Sequence, residues 1–188
     1  MSQVEDDFLA EIYGEDTSMF AIRKSLDGER VEEFSEKEQY IGLIINTELF
    51  YLKLSCVSEI IMLEPIRFVP GSPKFVEGVI NLRGTILPAI NLGKLLGRPR
   101  SKVTFATRII IVRAEKLKVG LLVDKLSNVI GLSPTDIEEK NLGGSSRAQE
   151  VITQIAKCDD KVVGILNVDR IILDCSEGRV EKDLEESS

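Results

Sequence analysis

From Gln39 onward, apolar residues fall in short runs of strand length, separated by small groups of polar residues, glycine or proline. Residues 40–45 and 49–54 flank Asn46-Thr47-Glu48 and predict a hairpin, since both runs are β-branched or aromatic and the break has turn length. Residues 57–63 form a third run, interrupted by Ser58 and Glu59. Residues 75–82 and 86–92 flank Arg83-Gly84, where glycine supplies the positive φ of a tight two-residue turn and Arg83 is left at the surface. Pro70 and Pro73 fix the entry to this hairpin because neither has an N–H for a ladder, and Pro88 inside its second run predicts an edge position or a bulge. Residues 105–112 and 117–123 flank a turn at 113–116, 129–132 is a short run, and 151–157 and 161–167 flank Cys158-Asp159-Asp160. Helical stretches are few: 92–96, stopped by Gly97 and Pro99, and 168–173. Residues 133–136 predict a turn; 97–104 and 138–147, the latter with Gly143-Gly144-Ser145-Ser146, predict loops. About ten short strands with few helices favour small closed barrels over a layered α/β fold, since closure removes exposed edges.

Residues 1–38 have a different pattern. Acidic clusters alternate with small apolar islands, and Gly14 and Gly28 interrupt any helix, which predicts a flexible extension. Phe8, Leu9, Ile12 and Tyr13 would share one helical face, either as a frayed tail that packs on the body or as a docking helix for a partner.

Charge sharpens this division. Residues 1–38 hold twelve acids against Arg23, Lys24, Arg30 and Lys37, a net of −8. Residues 177–188 hold five acids against Arg179 and Lys182, a net of −3, so residues 39–176 carry +4 of the chain's total of −7. A mildly basic body between acidic tails lacks the concentrated basic face of a nucleic-acid binder. The 188 residues suffice for one ordinary domain or two small subdomains, with an aliphatic core, as 43% of residues are hydrophobic and only 5% aromatic. No run reaches the ~18 apolar residues of a membrane-spanning helix. The acidic N-terminus has no basic leader, which predicts a cytoplasmic protein without a signal peptide. Cys56, Cys158 and Cys175 are widely spaced and read as small buried hydrophobes.

Candidate chemistry is sparse. The sequence has no histidine, which removes the usual general base, the usual triad partner and the commonest zinc ligand. Asp159-Asp160 and Glu138-Glu139 fall in predicted turns and read as solvated charge. The Gly-Gly-Ser-Ser loop lacks the Gly-Lys-Ser/Thr ending of a phosphate loop. These residues predict no enzyme, no cofactor and no metal; recognition remains.

Val69-Pro70-x-x-Pro73, then Val76-x-Gly78-Val79-Ile80-Asn81-Leu82-Arg83-Gly84, then Leu87-Pro88-x-Ile90-x-Leu92 resembles the signature of CheW-type chemotaxis adaptors, with its spacing intact. The resemblance covers 39–175, leaving 1–38 as an acidic extension and 176–188 as an acidic tail. It implies a mainly β, CheW-like fold: two small five-stranded SH3/OB-like barrels packed together with short helices and a groove between them. It implies a non-enzymatic scaffold that couples the cytoplasmic hairpin tip of chemoreceptors to the regulatory domain of a CheA-type histidine kinase, recruited to membrane receptor arrays without inserting. A surface-motility, pilus or developmental chemosensory system is the related alternative. An OB-like barrel binding oligonucleotide or small ligand is the alternative of another class, and three Tyr, no Trp and acidic tails count against it.

By the same resemblance Arg83 lies at the receptor contact; otherwise it is a surface arginine or ties down its own turn. Val57-Ser58-Glu59 keeps the family's Val-x-Glu, which joins adaptor to kinase and receptor; otherwise Glu59 is the outward residue of a half-buried strand. Gly120-x-x-Val123-Asp124-x-Leu126-x-x-Val129 resembles another family segment, which would put Leu126 and Val129 in the receptor groove; packing in the core is the other reading. Gly78 and Gly120 complete the candidate partner-binding set, or serve backbone geometry alone. Asn91 departs from the family, which commonly has Asp there, and Leu126 stands for a frequent Val.

Residues 39–188, expressed alone, are expected to give a β-type circular dichroism spectrum and a cooperative melting curve. An aggregated product would make the Phe8–Tyr13 island part of the core.

Overall fold

The computed structural model describes residues 37–99, 101–114, 117–139, 146–158 and 161–176. The expectations for the acidic extension, for the turns at 115–116 and 159–160, for most of the Gly/Ser loop and for the C-terminal tail lie outside the described residues.

Eleven strands and three short helices are described: β1 (Glu38–Ile45), β2 (Glu48–Lys53), β3 (Val57–Met62), β4 (Val76–Leu82), β5 (Thr85–Asn91), α1 (Leu92–Leu95), β6 (Arg108–Ala114), β7 (Leu117–Val123), β8 (Lys125–Leu132), β9 (Ile137–Glu139), α2 (Arg147–Val151), β10 (Ile152–Cys158), β11 (Lys161–Leu166) and α3 (Val168–Ser176). They form two sheets, β8-β1-β2-β11-β10-β9 and β3-β6-β7-β5-β4. The mainly β architecture in two packed units is as expected. In detail the first sheet has six strands, because three-residue β9 adds to β10, and neither ladder closes on itself. The second sheet nonetheless curls. Arg67, beyond the end of β3, forms an isolated bridge with Val79 on β4, bringing its two edges together.

Period-two alternation sorts the apolar side chains into three clusters. On β6, Ile110 and Val112 join a core shared by both sheets with Ile41, Leu43 and Leu52, while Ile109 and Ile111 turn to the other face and meet Ile80, Leu87 and Ala89. On β1 and β2, Tyr40 and Tyr51 face a cluster inside the first sheet, with Leu132 and Val163, while Ile41 and Leu52 face the shared core. A strand buried on both faces needs an unbroken apolar run, and 109–112 supplies one. Ile171 and Ile172 of α3 and Leu92 and Leu95 of α1 also pack in the shared core.

Some local expectations are corrected. Pro88 is not on an edge strand, since β5 lies between β4 and β7. Its parallel pairing with β7 begins only at Ala89, so Pro88 stands outside that ladder, and the bulge lies on β4 between Val76 and Gly78. β8 starts at Lys125 rather than 129. Helix α2 is not among the expected elements and falls where the expected loop over 138–147 gives way to the strand from 151; its signal is Ser146-x-x-Gln149, where the Ser146 N–H donates to Gln149 Oε1 at 3.2 Å in a capping box. Asn91 has a positional reason. Its Oδ1 caps α1 by accepting from the Lys94 N–H at 3.0 Å, and its Nδ2 donates to Glu77 Oε1 at 2.9 Å. An aspartate could cap the helix but would set a second carboxylate against Glu77.

No disulfide joins the cysteines, and all three are partly buried. Burial, and then the neighbouring Asp174 carboxylate, push the Cys175 thiol up to about 12. At pH 8 its thiolate fraction is therefore on the order of 10⁻⁴, against roughly a quarter for a thiol near 8.5. Iodoacetamide is expected to label Cys175 about a thousandfold more slowly in the native protein than in denaturant, read by peptide mass spectrometry. Equal rates would mean that α3 opens freely.

Candidate partner-binding surfaces

The β4–β5 hairpin turns in two residues, since Leu82 pairs with Thr85. Arg83 (φ 49°) and Gly84 (φ 87°) both occupy the left-handed region, as a type I′ turn demands. Asn81 Oδ1 secures the turn by accepting the Gly84 N–H at 2.9 Å. Glycine is free in this conformation, but an arginine pays roughly 1–2 kcal/mol for it. Its guanidinium recovers little, because the side chain is 82% exposed and its one ion pair, Nη2 to Glu59 Oε2 at 2.9 Å, is of the surface kind worth about 0–1 kcal/mol. A strained residue that does not stabilise the fold points to a role outside it.

Glu59 is brought to that turn by a bulge. Val57 pairs with Val112 and Glu59 with Ile111, so Ser58 is the extra residue on edge strand β3. The strand's other candidate, Val57, is buried in the shared core. Sequence reading singled out Glu59 and Arg83 separately; the fold joins them into one charged corner of the second sheet.

The remaining candidates divide. Gly78 has φ 145°, and a Cβ there would lie 2.1 Å from the Arg67 carbonyl oxygen. That close approach permits the two backbone bonds between Arg67 and Val79, at 2.9 and 2.8 Å. A Cβ on Gly120 would meet Ile109 Cγ2 at 2.8 Å and Ile80 Cδ1 at 3.2 Å, so its place is set by packing between β6 and β4. Leu126 is buried and points into the shared core, opposite Leu43. Val129 is half-buried on β8, an edge of the first sheet, where it packs on the shared core while keeping part of its surface in water. The accessible candidates are therefore Arg83 and Glu59 on the second sheet and Val129 on the first.

Catalytic geometry does not emerge elsewhere. Among the described residues no cluster of His, Cys, Asp or Glu has metal-site geometry, and no helix is long and apolar enough to cross a membrane. A cavity of about 390 Å³ at the mouth of the first sheet is lined by Glu38, Tyr40, Lys53 and Cys56 among others. Two of its charges engage each other: Lys53 Nζ approaches Glu38 Oε1 at 2.5 Å, and Tyr40 Oη donates to Glu38 Oε2 at 2.9 Å. Burial would raise the Glu38 pKa, but the bonds from Lys53 and Tyr40 outweigh it and hold the carboxyl below its ordinary range. Burial first, and then Glu38, raise the Tyr40 phenol.

Residues 39–175 match the family model described as the CheW-like domain. The chain is 30% identical over 140 residues to the chemotaxis protein CheW of Bacillus subtilis, covering 74% of this chain and 90% of that protein. It is 32% identical over 149 residues to the chemotaxis protein CheW of Helicobacter pylori, covering 77% and 87% respectively. The solved structure of the scaffolding protein TtCheW from Thermoanaerobacter tengcongensis superposes with a TM-score of 0.65 at 32% identity, covering 70% of this chain and 90% of that one.

The two motif positions at this corner should respond oppositely to substitution. Gly78→Ala is expected to lower unfolding free energy by about 3 kcal/mol, since its Cβ would collide with backbone. Arg83→Asn, which suits the left-handed turn, is expected to stay within about 1 kcal/mol of wild type. Urea unfolding of both variants checks this; a large loss from Arg83→Asn would make the arginine a structural residue.

Proposed function

This chain belongs to the CheW-like domain family, and we propose that, as a chemotaxis scaffold, it couples the cytoplasmic hairpin tip of chemoreceptors to the regulatory domain of a CheA-type histidine kinase. The action is positional. One surface holds the kinase domain, another holds the receptor, and the receptor's ligand state reaches the kinase through the rigid body between them. Membrane arrays are reached through the receptor.

The observation that carries this reading is Arg83. Its guanidinium stands exposed on a strained turn beside Glu59, and a planar fork of donors suits the polar tip of a helical hairpin. Val129 adds a half-buried apolar site on the first sheet. Receptor contact through both would span the two sheets, while Glu59, on edge strand β3, serves the kinase as well as orienting Arg83. Gly78 and Gly120 support these surfaces through backbone placement, and Val57 and Leu126 support them through the core.

Pull-downs with receptor tip and kinase regulatory domain, run beside melting curves, test this. Arg83→Ala is expected to melt within a few degrees of wild type, as suits a change of about 1 kcal/mol or less, and to lose most receptor capture. Glu59→Lys would set two cations face to face and is expected mainly to weaken kinase binding, with a lesser effect on receptor. Val129→Asp buries part of a carboxylate and is expected to lower both melting temperature and receptor capture. Folded variants that each lose both partners equally would replace two surfaces by one. Wild-type binding by Arg83→Ala would overturn the receptor reading.

A further inference from the structure

The described chain passes between the two sheets twice, across Leu54–Cys56 from β2 to β3 and at Asp124 from β7 to β8. The second crossing is a single residue long: β7 ends at Val123 in the second sheet and β8 begins at Lys125 in the first. β7 borders the hairpin that carries Arg83, through the parallel pairing of Ala89 with Gly120. β8 carries Val129 just beyond the crossing. Whatever sets the backbone at Asp124 therefore sets how these two accessible candidates are offset from one another.

The Asp124 side chain reaches from that crossing to a turn of the first sheet. Its Oδ2 accepts the Asn46 N–H at 2.6 Å and the Ser101 hydroxyl at 2.5 Å. Asn46 is the first loop residue of the β1–β2 hairpin, whose ladder ends at the Ile45–Glu48 pair, and it lies 78 positions before Asp124. The ladder offers its N–H no strand partner, and a carboxylate is a strong acceptor for it. Asn46 stands at φ 56°, which asparagine tolerates better than most residues. Ser101 follows α1, and its Oγ also contacts Asn46 Oδ1. From the same stretch Arg98 Nη2 donates to Glu48 Oε2 at 2.6 Å. One turn of the first sheet is thus held both by the crossing residue and by the loop that leads out of α1. Asn46, Ser101 and Asp124 are all half-buried, where their mutual bonds are stronger than in open water.

The apolar core shared by the sheets holds them together without dictating a direction, since hydrophobic burial is non-directional. A hydrogen bond to a carboxylate does have a direction. We infer that Asp124 is a positioning residue: its carboxylate clamps the β1–β2 turn to the crossing between the sheets, and so fixes their mutual angle and the offset between Arg83 and Val129. The consequence for binding rests on the reading that both residues meet one receptor tip; the clamp itself does not. Both bonds fall on one oxygen, so the clamp needs an acceptor at that point rather than negative charge as such. An asparagine there keeps one oxygen with two lone pairs, and an alanine keeps none.

NMR on the full chain tests the clamp, through residual dipolar couplings from the two sheets and exchange of the Asn46 amide, run beside capture by a receptor tip. In wild type, couplings from β1–β2 and from β5–β7 are expected to fit one alignment tensor with the sheets placed as here. Asp124→Ala is expected to speed Asn46 exchange about tenfold, as suits the loss of a hydrogen bond to a charged acceptor. It is also expected to lose the common fit and to weaken receptor capture about threefold, with Arg83 untouched. Asp124→Asn is expected to restore most of all three. Ser101→Ala, the milder change should Asp124→Ala fail to fold, is expected to move the same readouts in the same direction. A wild-type common fit in Asp124→Ala, or in Ser101→Ala where only that variant folds, would overturn the inference. Asp124→Asn behaving like Asp124→Ala would overturn it too, because an acceptor oxygen would then not hold the turn. A lost fit with wild-type receptor capture would support the clamp and overturn the single-tip reading instead.

Discussion

Strand β6 is buried on both faces, and the relation between the two sheets depends on it. Ile110 and Val112 fill the shared core while Ile109 and Ile111 fill the interior of the second sheet. Fully burying one such side chain is worth roughly 1.5–3 kcal/mol, so Ile110 and Val112 tie the sheets together more firmly than a surface ion pair would, while Ile109 and Ile111 hold the second sheet to itself. A polar substitution in this run would leave an unpaired group in one core or the other. The two sheets therefore share one continuous core, and their edges and turns are built out from it.

The setting of the Arg83 turn lets it hold a residue that suits it poorly. A two-residue hairpin loop prefers Asn-Gly, yet Arg83 takes the first position at φ 49°. The strain is bearable because the flanking ladder, the Asn81 side chain and the Arg67–Val79 bridge over-determine the backbone. Gly78 makes that bridge possible, since any Cβ would collide with the Arg67 carbonyl. The motif's glycine and its arginine are thus two halves of one arrangement, a close backbone crossing that stabilises and a side chain presented at the strain it allows.

Legibility followed the range of the determining interaction. The four hairpins were readable because turn chemistry and alternation act over a few residues, and the Arg83-Gly84 turn lies where Gly84 predicts it. The Glu59–Arg83 pair was not readable, since it crosses twenty-four positions between opposite edges of a curled sheet. Leu126 and Val129 left core and groove equally open in sequence, because both are aliphatic and three apart across a bulge; register against β1 puts Leu126 inward opposite Leu43 and leaves Val129 half out. Pro88 misled because its missing N–H constrains only the ladder side it faces, not the strand's rank in the sheet. Helix α2 was hidden by the Gly/Ser stretch before it, although Ser146 and Gln149 carried its capping signal.

Open sheets bring exposed edges, which invite strand-on-strand association. Here every edge is blunted. β3, β4 and β8 each carry the extra residue of a bulge, at Ser58, at Glu77 and across Ser127-Asn128, and β9 is only three residues long. A bulge breaks the repeat of free N–H and C=O groups that an added strand would need, and it turns neighbouring side chains outward. The same device therefore opposes aggregation and presents Glu59 and Val129. A partner that meets these edges finds side chains rather than a ladder, so helices and turns are better matched to them than an added β-strand.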